Sequence, residues 1–403
     1  MPEYPILMTL GTLLILSPFV KSLMERIGVP ALVGYILLGF LVSTVDSQWH
    51  ISTPLFDNTF IVLAELGVIA LLFRVGLKSH TQTLLAKLPD ASFIWIFDVL
   101  TNFLLVFCVA HFLLSVPLES SLVIATAFSS TSVAVTVAVW SEHTRMNSTS
   151  GQLLVDVAEL DSLSSVLILA VLLAIIPAIR GDQIALVTPV GLTTIMILLK
   201  LMLFIVGCYL FSHYFERGFT QFNRRWENSK TALTISVLGA GLVIAALAGY
   251  LGFPLAIGAL FAGLAFSRDP EAVRTDTRFA YFYEFFTPFF FIYIGMQLDP
   301  SIVTGSLGIA AILLLPAVAG KLAGVGIPAL RFLKKREAFL LGIGMIPRAE
   351  IAMVVLYQCH LLGQDVIPDK LFGAMVLVSV VTSILAPMVL RALQVRFLRE
   401  VKE

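Results

Sequence analysis

GVPALVGYILLGFLVS at residues 28–43 returns as GFPLAIGALFAGLAFS at residues 252–267, with Gly28, Pro30, Gly34, Gly39 and Ser43 matched at one constant offset by Gly252, Pro254, Gly258, Gly263 and Ser267. The chain therefore carries two copies of one unit. A second echo follows in the same order: Glu65 and Gly76 in ELGVIALLFRVG stand as far apart as Glu284 and Gly295 in EFFTPFFFIYIG. Both echoes lie in apolar runs too long and too uncharged for a soluble core.

The 403 residues are 58% hydrophobic and 13% charged, with a mean hydropathy of +0.96, far from the composition of a soluble domain. This is an all-α polytopic membrane protein. Its formal net charge is zero, so bulk charge points to no nucleic acid or acidic partner. Cys108, Cys208 and Cys359 show no metal spacing and no paired framework, and are expected to pack as small apolar groups. The N-terminus lacks a basic leader and a small-residue cleavage site, so the first apolar stretch is expected to be a retained span.

A hydrocarbon core about 30 Å thick needs roughly 20 helical residues. By that ruler thirteen spans are predicted, near 4–23, 29–43, 59–77, 92–115, 119–141, 152–177, 187–212, 231–249, 253–267, 281–298, 303–330, 338–357 and 370–394. Those at 29–43 and 253–267 are short, and they are the repeat partners. Of the 26 Lys and Arg, four (Arg74, Lys200, Lys321, Arg348) lie in spans; with the N-terminus outside, only Arg180 and Lys370 face out and the rest fall on the cytoplasmic side. That bias sets the expected orientation, N-terminus outside and C-terminus cytoplasmic in the cell membrane. The copies begin seven helices apart, so each second-copy helix runs opposite to its partner. The expected plan is a single transmembrane domain over 1–403, with no soluble regulatory domain: repeat one 1–180, linker helix 187–212, repeat two 231–403. Inverted repeats of this kind are the pattern of secondary transporters, with the site on interrupted helices near the midplane. The polar, basic stretch 215–230 reads as a solvated loop.

The fifth span, with Ser129, Ser130, Thr131 and Ser132 in a row, pairs with the twelfth, which has Gly342, Gly344 and Pro347. Hydroxyls compete for the backbone and proline lacks a donor, so both are predicted to be discontinuous and to cross, offering free carbonyls to a cavity. The sixth span carries Asp156, Glu159 and Asp161. Asp161 lies roughly 13 Å along it, close to mid-bilayer. An acid there is costly to ionise and marks a functional site, where a proton and a metal cation are alternative occupants. Asp156 and Glu159 share another face, nearer the cytoplasmic end. Lys321, mid-span in the eleventh, needs a partner among Asp161, Asp156 and Glu159. Arg348 is expected to tie the broken twelfth span to a carboxylate of the sixth, Asp156 first; Glu350 follows it too closely to stack on a helix face. Asp98 and Asn102 read as packing polar groups. The histidines show no metal spacing, and no nucleophile, base and orienter group together, so no enzyme chemistry is expected.

These residues resemble the monovalent cation:proton antiporters of the second family, the sodium or potassium/proton exchanger domain. The matching elements, in order, are GVPALVGYILLGFL, ELGVIALLFRVGL, the STSV of the fifth span, the aspartate of the sixth, GALFAGLAFS, FFFIYIGMQLD, the GK at 320–321 and the PRAE at 347–350. The resemblance implies a thirteen-helix fold, a homodimer through a scaffold domain, and an elevator-like motion of the core. It assigns cation and proton binding to Asp161, with Thr131 and Ser132 as ligands on the unwound helix and Asp156 nearby. Lys321, Arg348, Glu350 and Glu159 are the supporting ion-pair groups. No cofactor is implied: sodium or potassium and the proton are cargo, and lipid is the surrounding partner. The family usually places Asp, Asn or Gln before the essential aspartate, where this chain has Leu160; a two-carboxylate site around Lys321 is therefore not expected in its usual form. PRAE replaces PRGE. The expected function is exchange of a monovalent cation, sodium before potassium, for protons. A sodium-coupled organic-anion symporter, and a channel or sensor that keeps the fold, are the rival readings.

Overall fold

The computed structural model describes residues 4–49, 53–78, 88–132, 135, 137, 140, 148–180, 187–226, 230–267 and 276–400. Among them every regular element is a helix: α1 (Tyr4–Arg26), α2 (Ala31–Trp49), α3 (Pro54–Lys78), α4 (Leu88–Cys108), α5 (Leu118–Ser129), α6 (Thr149–Arg180), α7 (Val187–Leu210), α8 (Glu216–Trp226), α9 (Lys230–Tyr250), α10 (Leu255–Phe266), α11 (Asp276–Met296), α12 (Pro300–Ala329), α13 (Lys335–Gly344), α14 (Glu350–His360) and α15 (Asp369–Glu400). π-helical turns at Val109–Leu113 and Phe211–Phe215 prolong α4 and α7.

Proline sets several starts. Pro54 and Pro300 open α3 and α12, where a missing amide donor costs nothing. Asp299 caps α12, its Oδ1 accepting from the amides of Ser301 at 2.7 Å and Ile302 at 2.9 Å. The Ser301 hydroxyl, with those amides, holds the Asp299 carboxyl below its ordinary range.

The two copies fold alike where they match. α1 and α9 end in the same six-residue closure: Val29 N–H reaches Met24 O, and Phe253 N–H reaches Ala248 O, each at 2.9 Å. Both closures turn on a glycine with positive φ, Gly28 at 73° and Gly252 at 91°, a conformation that disfavours a Cβ. The glycines further along serve helix crossings. A Cβ on Gly39 of α2 would run into the Ile292 carbonyl of α11, and one on Gly295 into the Ile36 carbonyl. Gly76 of α3 stands in the same relation to the Leu260 carbonyl of α10, and Gly263 to Phe73 O. Since Gly39 and Gly263 are repeat partners, as are Gly76 and Gly295, each contact is the repeat image of the other. Gly39→Val is therefore expected to destabilise by about 1–3 kcal/mol through overpacking, read as a lowered thermal midpoint in detergent. Gly11→Val, with nothing within 4 Å, is the control that should leave the midpoint in place.

Among the described residues nine helices are long and apolar enough to cross a membrane. The four other predicted spans are not among these nine: the fifth and twelfth are broken, the ninth is the short α10, and the uncharged second half of α6 includes residues whose side chains lie outside the described set. The second half of the fifth span lies mostly outside the described residues, as do the loop residues Lys87, Arg145, Arg268, Arg274 and Lys402 used for orientation. Two expectations are corrected. The span at 29–43 is not short, because α2 continues to Trp49. The stretch 215–230 is not a loop over its described length: α8 is helical, and its spaced Glu216 and Thr220 are buried.

The chain divides into two compact units, residues 1–56, 87–166 and 291–403, and residues 57–86 and 167–290. In the second, α10 lies against α9 and α7. In the first, α12 packs along α4, α13 and α15, and α5 packs against α14. Its apolar centre gathers Ile94, Leu154, Val157, Val325, Leu341 and Met345. All the polar chemistry described next belongs to this first unit.

Candidate functional site

The site begins where two helices stop. α5 ends at Ser129, and Ser130 is extended, with φ −67° and ψ 154°. The hydroxyls there take up backbone acceptors: Ser129 Oγ donates to Ala125 O and Ser130 Oγ to Ala127 O, each at 2.8 Å. α13 ends at Gly344, and the chain passes through Pro347 before α14 resumes at Glu350. The two breaks touch. Ser132 N–H donates to Pro347 O at 2.9 Å, Ser132 Oγ to Glu350 Oε2 at 2.7 Å, and Thr131 Oγ1 to Met345 O at 3.2 Å.

Stopping α5 and α13 here leaves two carbonyl ends, each carrying partial negative charge, inside the protein. Two buried cations answer them. Lys321 Nζ donates to Ser129 O at 2.7 Å. Arg348 Nη1 donates to Ser130 O at 2.6 Å, and its Nη2 to Ala317 O at 3.0 Å. Glu350, by contrast, lies in the first turn of α14, where the helix end favours an anion.

Asp161, 0% exposed, is the carboxylate at this crossing. Its Oδ2 accepts from Thr131 Oγ1 at 2.9 Å and from Lys321 Nζ at 2.5 Å. The same ammonium reaches Asp98 Oδ2 of α4 at 2.6 Å. All three donors of Lys321 are thus engaged, by two carboxylates and a carbonyl. Small residues make the reach possible: Cβ atoms on Gly320 and Gly324 would stand 3.0 Å from Asn102 Cα and 2.9 Å from Asp98 Cα, so α12 lies close against α4 on both sides of Lys321. Trp95 Nε1, donating to Ser164 Oγ at 3.1 Å, joins α4 to α6. Asp161 Oδ1, Asp98 Oδ1 and both amide atoms of Asn102 are buried without a protein partner. Buried polar atoms require one; the three oxygens are acceptors open to an ion or water, and Asn102 Nδ2 is a donor open to water.

The structure thus brings Asp161, Thr131, Ser132, Lys321, Arg348 and Glu350 together. It does not bring Asp156 or Glu159 into the hydrogen bonds of the crossing. The expected Arg348–Asp156 pair is corrected: Arg348 bonds the Ser130 carbonyl just past the end of α5 and the Ala317 carbonyl within α12. The reading of Asp98 as a packing group is also corrected. Leu160 does leave no acid beside Asp161 and packs against the apolar cluster, yet the second carboxylate arrives from another helix. The nearer repeat match, Glu65 with Glu284, carries Asp98 onto Ala317 and not onto Lys321, so the repeat did not point to it.

The profile of the transmembrane sodium/hydrogen exchangers matches residues 11–396. The chain belongs to the sodium/hydrogen exchanger family. Among its relatives, the high-affinity Na+/H+ antiporter NhaS3 of Synechocystis sp. is 26% identical over 341 residues, covering 82% of this chain and 70% of that one. The Na+/H+ antiporter of Enterococcus hirae is 24% identical over 386 residues, 94% and 95% of the two chains. The structure of the sodium proton antiporter MjNhaP1 from Methanocaldococcus jannaschii at pH 8 superposes with a TM-score of 0.74 at 15% identity, over 98% of this chain and 99% of that one. The fold of this exchanger is accordingly that of a multi-pass membrane antiporter, and its broken helices sit in a transporter family.

Proposed function

We propose that the protein is a secondary active antiporter that exchanges a monovalent cation, sodium in preference to potassium, for protons by alternating access. The observation that carries this reading is the charge balance of the crossing. Among its described residues, the buried Lys321 and Arg348 stand with the buried Asp98 and Asp161 and the half-buried Glu350, which with every group ionised leaves one formal negative charge in excess. An uncompensated charge in a medium of low dielectric is costly, and one proton or one monovalent cation removes it. Both loaded forms are then neutral, and only a loaded core crosses the membrane readily.

In this reading the cation meets Asp161 Oδ1 and the Thr131 and Ser132 hydroxyl oxygens, hard oxygens suited to sodium, while the carbonyls at the breaks that were expected to be free are held by Lys321, Arg348, Thr131 and Ser132. Lys321 yields Asp161 Oδ2 and keeps Asp98 and Ser129 O. When Asp161 is protonated the same oxygens lose their claim on the metal, so competition for one carboxylate couples the two fluxes. Asp156 and Glu159, nearer the cytoplasmic end of α6, serve the approach. The inverted repeat (1–180 and 231–403 about a linker at 187–212), the external N-terminus, the cytoplasmic C-terminus and a homodimer complete the proposal, supported by the matched helix ends and glycine crossings and by the distribution of basic residues. The relatives named for sodium support that cation.

Reconstitution with imposed sodium and potassium gradients and an internal pH dye tests the reading: both gradients are expected to move protons, sodium faster. On this reading the balance implies one-for-one exchange. A cycle moving a net charge would gain about 2.3 kcal/mol per 100 mV. The exchange rate is instead expected to stay unchanged when a thiocyanate gradient imposes a potential, and a voltage-driven rate would refute the one-for-one count.

A further inference from the structure

We propose that α8, with the π-helical turn before it, is a binding face for the headgroups of anionic phospholipids. α7 and the π-helical turn after it run from Val187 to Phe215. At 1.5 Å per residue roughly 20 of those residues already cross about 30 Å of hydrocarbon, so α8 begins at headgroup depth.

There the helix presents three ridges, each of residues four apart and offset by about 100° from the next. Ser212, Glu216 and Thr220 form the buried ridge, beside Phe219, whose ring lies 5.9 Å from that of Phe266. Arg217, Gln221 and Arg225 form an exposed polar ridge. Phe222 and Trp226, 61% and 80% exposed, form the third, with Phe215 two turns before Phe222; the Phe222 and Trp226 rings are 6.0 Å apart. Glu216 is the one acid in Glu216–Trp226, and it is turned inward at 1% exposure. The outward charge of the described helix is therefore entirely positive. An aromatic ridge that accepts glycerol and acyl chains, beside guanidinium forks that accept phosphate, matches a lipid anion. Free phosphate would engage the arginines and leave Phe222 and Trp226 uncovered, and an acidic soluble protein would not sit at this depth.

The test uses the purified full chain. In detergent, added phosphatidylglycerol is expected to raise the thermal midpoint more than phosphatidylcholine does, and inorganic phosphate not at all. Each arginine near an anionic surface contributes on the order of five-fold in lipid partition, so Arg217→Gln with Arg225→Gln is expected to weaken the phosphatidylglycerol effect roughly twenty-five-fold. A second reading keeps every arginine: brominated phosphatidylglycerol is expected to quench Trp fluorescence more than brominated phosphatidylcholine, with the difference lost in Trp226→Phe. Equal effects of the two lipids, an effect of phosphate alone, or a difference that survives Trp226→Phe would overturn the proposal. None of these readouts depends on exchange activity.

Discussion

Asp161→Asn protein in proteoliposomes is expected to show no sodium-dependent proton flux above empty liposomes, a fall of at least about 100-fold and hence more than roughly 2.7 kcal/mol on the cycle's barrier. The change removes one charge and almost no volume. Thr131 keeps an acceptor in the amide oxygen, and Lys321 keeps Asp98 and Ser129 O, so the fold is expected to survive with a similar thermal midpoint. What is lost is the group that can hold either a proton or a metal ion. Flux persisting in this variant would sink the reading, since no other carboxylate in the crossing touches Thr131.

The second large effect is on stability. Lys321→Met removes the ammonium shared by Asp98 and Asp161, both 0% exposed, and strands two like charges in the protein. Breaking a buried pair in this way costs about 3–5 kcal/mol, enough to be read directly in thermal or denaturant unfolding. Combining it with Asp98→Asn is expected to restore much of the loss, because one remaining carboxylate can bind a proton or cation without a rival beside it. The double-mutant cycle should report a coupling of about 0.5–3 kcal/mol. Strictly additive costs would mean that the three groups do not act as one network.

The burial of Asp161 and the helix break at Ser129–Ser132 were legible in the sequence because each signal is local: an acid deep in an apolar run, and hydroxyls where a helix should continue. The glycines of the sequence echo stand at close helix crossings. Asp98 and the target of Arg348 were not, since both depend on which face one helix turns to another. That rotation is set by how closely backbones approach, here through Gly320 and Gly324, and no pattern along α4 alone carries it. α8 was missed because polar composition hid a four-residue spacing that only its buried ridge makes visible. Among the described residues the nine long apolar helices were plain from hydropathy, and the interrupted and shortened spans are ones that escape the same measure.

Arg348 bonds only to oxygens that never titrate: Ser130 O, Ala317 O and a longer contact to Met345 O at 3.5 Å. Its own carbonyl accepts from Ser383 at 2.8 Å. Acidity and cargo can therefore change the tenant at Asp161 without loosening this rivet. In the proposed cycle the chain just past Ser129 would stay tied to α12 through this guanidinium, whatever occupies Asp161.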